Sequence, residues 1–103
     1  MEPDLRPSAE ALRRQAAVAR SAGRGQLAEN LERAAELAAV PADVILEIYT
    51  ALRPHRSAGE QLDDWAERLE TEFGAGRCAA FVREARAVYA ERGLLKTRER
   101  TRI

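Results

Sequence analysis

The chain is short of nearly everything that catalysis recruits. It has one histidine, one cysteine and one tryptophan in 103 residues. One cysteine excludes an intrachain disulfide and fits a reducing compartment. No glycine-rich phosphate loop is present, and no cluster of His, Cys, Asp and Glu has metal-ligand spacing. Bulky apolar residues are scarce too. Leu, Ile, Val, Met, Phe, Tyr and Trp together number 25, whereas alanine alone accounts for 21 residues, so the core that this chain can build is thin. Alanine favours helix but buries little area, and buried area drives folding at about 25 cal/mol per Å². Short chains already bury a smaller fraction of their surface than long ones. No apolar run approaches the roughly 18 residues of a membrane span, and Met1–Arg6 lacks the apolar segment of a secretory signal. A cytoplasmic protein with no membrane partner is expected. Net charge is zero, with 17 basic and 17 acidic residues, which argues against a dedicated nucleic-acid binder. Sixteen of the basic residues are Arg, which reflects either codon bias or enrichment at an interface.

What is present is helical punctuation, and it predicts an all-α fold, a small bundle of about five amphipathic helices. Pro7-Ser8 caps a first helix that carries Leu12, Ala16 and Ala19 on one face, and Gly23 ends it. The second runs from about Gly25 to Ala38, with Leu27, Leu31 and Ala35 aligned and Glu29 pairing with Arg33. Pro41 opens a third at its first helical position. Val44, Ile48 and Leu52 form its stripe, with Ile45 and Tyr49 beside it. Pro54 stops it, leaving Arg53–Arg56 as an extended connector. Ser57 and Glu60 have the spacing of a capping box for the fourth helix. Leu62, Trp65, Ala66, Leu69 and Phe73 follow at the strongest amphipathic spacing in the chain. Gly74-Ala75-Gly76 breaks it. The fifth helix carries Cys78, Phe81, Val82, Ala85 and Tyr89 and ends near Gly93. One helical domain over 1–96 and a charged, disordered tail over 97–103 are expected, with fraying from Leu94 onward.

No two catalytic-type side chains converge on these helices. His55 sits in a connector between Pro54 and Arg56, where a solvated imidazole is the simpler reading than a general base. Cys78 lies on an apolar face, as inert buried thiols do, although Arg77 beside it is the kind of neighbour that activates a thiolate. Asp63 and Asp64 diverge by about 100° on a helix and do not share a metal or a proton. Trp65 and Phe73 suit a small core better than an interface anchor. The Arg-rich tail is diluted by Glu91 and Glu99 and reads as solvated. No catalytic, cofactor-binding or metal-binding residue is therefore assigned.

Several runs do resemble a known family. Glu32–Leu37, Val40-Pro41, Ile45–Tyr49 and Ala51–Pro54 with Arg56-Ser57 are similar to the small (gamma) subunit of adenosylcobalamin-dependent diol and glycerol dehydratases. Cys78–Ala85 with Tyr89, Glu91 and Arg92 is similar to it as well, as are Leu12–Ala16 and Ala22–Arg24. The likeness spans about Asp4 to Lys96 in one unbroken order.

The resemblance implies a noncatalytic small subunit that packs on and stabilises a large catalytic subunit. The complex it implies is a dimer of heterotrimers with large and medium subunits as partners. That complex dehydrates propanediol or glycerol to an aldehyde through a radical. It also implies that adenosylcobalamin is bound by the partner subunits and not by this chain. Tyr49, Arg53, Arg56, Phe81 and Arg83 lie in or beside the matched runs and are the expected subunit-interface residues. Familiar members carry an extension before the first matched helix, and without it microcompartment association is not expected. His55 stands where the family would have an aromatic residue, and Gly74-Ala75-Gly76 is more flexible than expected. Two rival readings remain at this stage. One is a small helical nucleic-acid-binding or regulatory protein, and the other is a stand-alone enzyme using Cys78 or His55.

Overall fold

The computed structural model describes residues 8–96. It contains five α-helices in the order α1 (Ala9–Ser21), α2 (Gly25–Leu37), α3 (Ala42–Ala51), α4 (Gly59–Phe73) and α5 (Gly76–Arg92). There is no strand among the described residues. The expected tail over 97–103 lies outside them.

Local chemistry sets the helix ends. Ser8 is the N-cap of α1, and its Oγ accepts the Ala11 N–H at 3.0 Å. This satisfies one of the donors that a helix start leaves unpaired. Pro41 stands one position earlier than expected, at the N-cap of α3. Gly74 follows α4 with φ +63°, a left-handed conformation that costs a Cβ-bearing residue dearly. The turn lets the Ala75 N–H reach back to the Leu69 carbonyl at 2.8 Å.

The helices form two antiparallel hairpins. α1 packs on α2, α4 packs on α5, α2 also meets α5, and α3 lies against α4. The main core draws on α3, α4 and α5 and on their connectors. Its most buried large side chains are Leu62, Leu69 and Val40. Trp65 and Phe73 pack against this core half-buried, as the sequence suggested. The α1–α2 contact is a separate cluster of Ala16, Ala19 and Ala28, to which Leu31 adds the bulk. The molecule is flat and elongated, 59 × 40 × 21 Å, with a radius of gyration of 16.3 Å. A compact chain of this length would have about 13 Å. Two small cores side by side, one of them built of alanine, account for the difference.

Several expectations need correction. In α2, Ala28 is buried and Leu27 exposed, so the buried stripe runs one residue later than the Leu27–Leu31–Ala35 register. Glu29 pairs with Arg20 and Arg77, not with Arg33. The capping box is also displaced. Ala58 is the N-cap of α4, and Gln61 Oε1 accepts the Ala58 N–H at 2.8 Å, which is half of such a box because alanine has no acceptor to return. Ser57 is buried, and its Oγ donates to the Ala51 carbonyl at 2.8 Å instead. Arg53–Arg56 is a turn and not an extended segment. The Arg56 N–H bonds to the Arg53 carbonyl at 3.1 Å, and His55 has φ +67°. Leu94–Lys96 is docked and not frayed. The His55 N–H donates to the Leu94 carbonyl and the Lys96 N–H to the Ser57 carbonyl, each at 2.7 Å, and Leu95 packs on the core.

Candidate functional site

Helix α3 carries more apolar surface than one core can cover. Val44, Ile45, Leu46, Ile48 and Tyr49 occupy half of its ten residues, yet only Ile48 is buried. Leu46 remains 64% exposed and Tyr49 60%. Beside Tyr49 lies an apolar groove of about 250 Å³. Ile45, Ile48, Tyr49 and Leu52 of α3 and its cap form one wall. Arg33 and Leu37 of α2 form the other, and Cys78, Phe81 and Val82 of α5 line the floor with Leu69. Phe81 is 49% exposed, so it does not belong to the buried face of α5 as its spacing suggested. The Arg33 guanidinium lies 5.4 Å from the centre of its ring. Exposed large apolar residues beside a concave apolar surface mark an interaction face more often than a solvated one.

The groove has little with which to do chemistry. Arg33 is the one charged side chain in its lining, and Tyr49 the one hydroxyl. Cys78 is buried. Burial first, and then hydrogen bonding and charge from Glu36, push its thiol up to about 12, with Arg33 opposing weakly. Its Sγ donates to the Arg33 carbonyl at 3.5 Å. A thiol in that state is a poor nucleophile near neutrality. Arg77, the neighbour with activating potential, is engaged with Glu29 at 3.2 Å and Glu36 at 3.9 Å. His55 is exposed on its turn, away from the groove lining. Asp63 holds Arg86 at 3.2 Å. No group of three or more His, Cys, Asp or Glu capable of holding a metal occurs among the described residues. No helix among them is long and apolar enough to cross a membrane.

The expected interface residues divide in two. Tyr49 and Phe81, 32 positions apart in sequence, line the same groove. Arg53 and Arg56 are exposed on the turn that follows α3. Arg83 lies outside the lining and is bound to Glu70 of α4 at 2.9 Å. Sequence reasoning missed Arg33, Leu37 and Ile45 as groove residues. The usable signal was in α3, where two adjacent apolar stripes exceed what one packed face absorbs.

Comparison with known proteins places the chain in a family. Residues 1–96 match the family described as dehydratase small subunit. The chain is 58% identical over 93 residues to the propanediol dehydratase small subunit of Citrobacter freundii, a match covering 90% of this chain and 54% of the relative. The propanediol dehydratase small subunit of Salmonella typhimurium strain LT2 is equally similar, at 58% over 93 residues with the same coverage. The chain thus spans about half the length of these curated relatives.

Proposed function

Because the chain belongs to the dehydratase small-subunit family, we propose that it is the noncatalytic small subunit of an adenosylcobalamin-dependent diol dehydratase. In this reading residues 1–96 act as one small-subunit domain on a large catalytic subunit, with a medium subunit completing each heterotrimer and two heterotrimers forming the complex. The complex dehydrates a vicinal diol, propanediol or glycerol, to an aldehyde. The observation that carries the reading is the 58% identity over 93 residues to two propanediol dehydratase small subunits.

Physical chemistry supports the subunit role. The chain has a divided, alanine-rich core and leaves Tyr49 and Phe81 at the mouth of an apolar groove. A covering partner would bury both rings and add the apolar area that the fold lacks. We assign the docking face to this groove, with Arg53 and Arg56 at its rim side and Arg83 as an outlying contact. The groove does not suit a corrinoid, since at about 250 Å³ it is far too small for that macrocycle and its lining offers few partners for the amide side chains. Adenosylcobalamin is accordingly assigned to the partner subunits, where it supplies the radical that begins the reaction. The nucleic-acid reading gains nothing from the fold, because Arg20, Arg68, Arg77, Arg83 and Arg86 are all paired with carboxylates.

Co-expression with large and medium diol dehydratase subunits tests the proposal. The three chains are expected to co-elute as one complex that turns over propanediol. A fully active complex of the other two subunits that excludes this chain would overturn it.

A further inference from the structure

The two hairpins are joined by a small and mostly polar seam. α1 and α2 hold each other through Ala16, Ala19 and Ala28, a cluster separate from the core of α3, α4 and α5. At the seam, Leu37 is the α2 side chain that packs on the main core. The rest is electrostatic. Glu36 accepts the Arg77 N–H at 3.0 Å and the Cys78 N–H at 2.8 Å, and Glu29 holds the Arg77 side chain at 3.2 Å. These contacts replace a cap that α5 lacks, since its N-cap residue is Ala75. The connector has one firm anchor, Val40, which is 1% exposed. Ala38 and Ala39, between that anchor and Leu37, are tied only by local turn bonds back to α2, the Ala39 N–H to the Glu36 carbonyl at 3.2 Å and the Val40 N–H to the Leu37 carbonyl at 3.0 Å, and these are the bonds that a hinge there would exchange.

We propose that the α1–α2 hairpin is a hinged arm that opens from the α3–α5 body as a unit, with Glu36 as its latch. Opening breaks the two Glu36 backbone bonds, the Arg77–Glu29 pair, the Cys78 bond to the Arg33 carbonyl, the Arg33–Phe81 contact and the Leu37 contact, and leaves both hairpin interfaces intact. It therefore requires much less free energy than unfolding the chain. The arm also carries Arg33 and Leu37, one wall of the apolar groove, while Tyr49 and Phe81 stay with the body. Opening dismantles the groove. Any occupant that touches both walls binds the closed state better and shifts the arm toward it.

Labelling of Cys78, the single thiol of the chain, tests the arm directly, because the thiol is buried and bonded to the Arg33 carbonyl of α2. The full chain is exposed to excess Ellman's reagent in rising sub-denaturing urea. In the wild type, labelling is expected through an opening at least about tenfold more populated than global unfolding followed by helical circular dichroism, with a weaker but measurable urea dependence. Glu36→Ala is expected to speed labelling about tenfold, and Glu36→Gln, which keeps an acceptor, by less. Labelling with the population and urea dependence of global unfolding would overturn the proposal. So would labelling with no urea dependence, or a Glu36→Ala rate equal to that of the wild type. If Glu36→Ala does not fold, the wild-type comparison decides by itself.

Discussion

Glu36 Oε1 accepts the backbone N–H of Cys78 at 2.8 Å, although 42 residues separate the two in sequence. The Glu36 carboxylate also takes the Arg77 N–H at 3.0 Å, so one side chain of α2 satisfies two of the free donors at the start of α5. A negative charge there also meets the positive end of the helix dipole. The usual cap is supplied from within a helix's own sequence, and here it comes from another hairpin.

Glu36→Ala is therefore expected to lower stability by about 1–3 kcal/mol, and Glu36→Gln by less, in urea denaturation followed by helical circular dichroism. A loss below 0.5 kcal/mol, taken as roughly the limit for an ordinary surface substitution, would mean that the two bonds contribute little.

The last carbonyls of α3 have side-chain donors. Ser57 Oγ–H serves Ala51 at 2.8 Å, and Tyr89 O–H serves Leu52 at 2.5 Å from the far end of α5. Ser57→Ala and Tyr89→Phe each remove a donor while keeping the shape, and each is expected to cost about 1–3 kcal/mol. The sites share the corner where α3, α4 and α5 meet, so the double variant should deviate from additivity when measured as a cycle.

The alanine interface tolerates little growth. Ala28 is fully buried between α1 and α2, with Ala16 and Ala19 around it. Ala28→Leu is expected to destabilise the chain by about 1–3 kcal/mol, whereas leucine at exposed Ala17 should change little. Thermal melts of the two variants side by side make the comparison.

Cys78 gives the fold an alkaline limit. Its thiol is pushed from 9.0 up to about 12, so between these values the unfolded chain releases a proton that the folded chain keeps. Stability then falls as pH rises, because the native state binds more protons over that interval. Below pH 9 the thiol makes no difference. Urea midpoints measured from pH 8 to pH 11 should decline in the wild type and decline less in Cys78→Ala.

If the groove is the docking face, Tyr49→Ala and Phe81→Ala should leave the isolated chain within about 1 kcal/mol of wild-type stability, since both rings are about half exposed or more. Together they should weaken retention by the large subunit at least about tenfold, as aromatic anchors at interface centres do. Arg53→Ala and Arg83→Ala should weaken it more than substitution of Arg100. Retention equal to wild type in the double aromatic variant would move the interface elsewhere.

Much of the architecture was legible because each helix end has a local cause. Ser8, Gly23, Pro41, Gly74 and Gly93 stand within a residue or two of the observed boundaries. The errors arose where a side chain had a better distant partner. Ser57 abandons the cap of α4 because the Ala51 carbonyl lies within reach. Leu94–Lys96 reads as the start of a charged, fraying tail, yet it bonds across to His55 and Ser57, a pairing that no periodicity encodes. The groove was half visible. Tyr49 and Phe81 stood out as aromatic residues in the matched runs, but their meeting depends on how three helices close. Spacing along one helix says nothing about the Arg33 and Leu37 wall that α2 brings to it.

The docking of Leu94 and Lys96 against residues 55–57 also fixes where Lys96 stands, at the α3–α4 corner beside the turn that carries Arg53 and Arg56. A bulky label on the exposed Lys96 amine would crowd a partner approaching that arginine turn. A label placed at the Ala22–Arg24 bend, between α1 and α2, would sit on the opposite hairpin and leave that approach open.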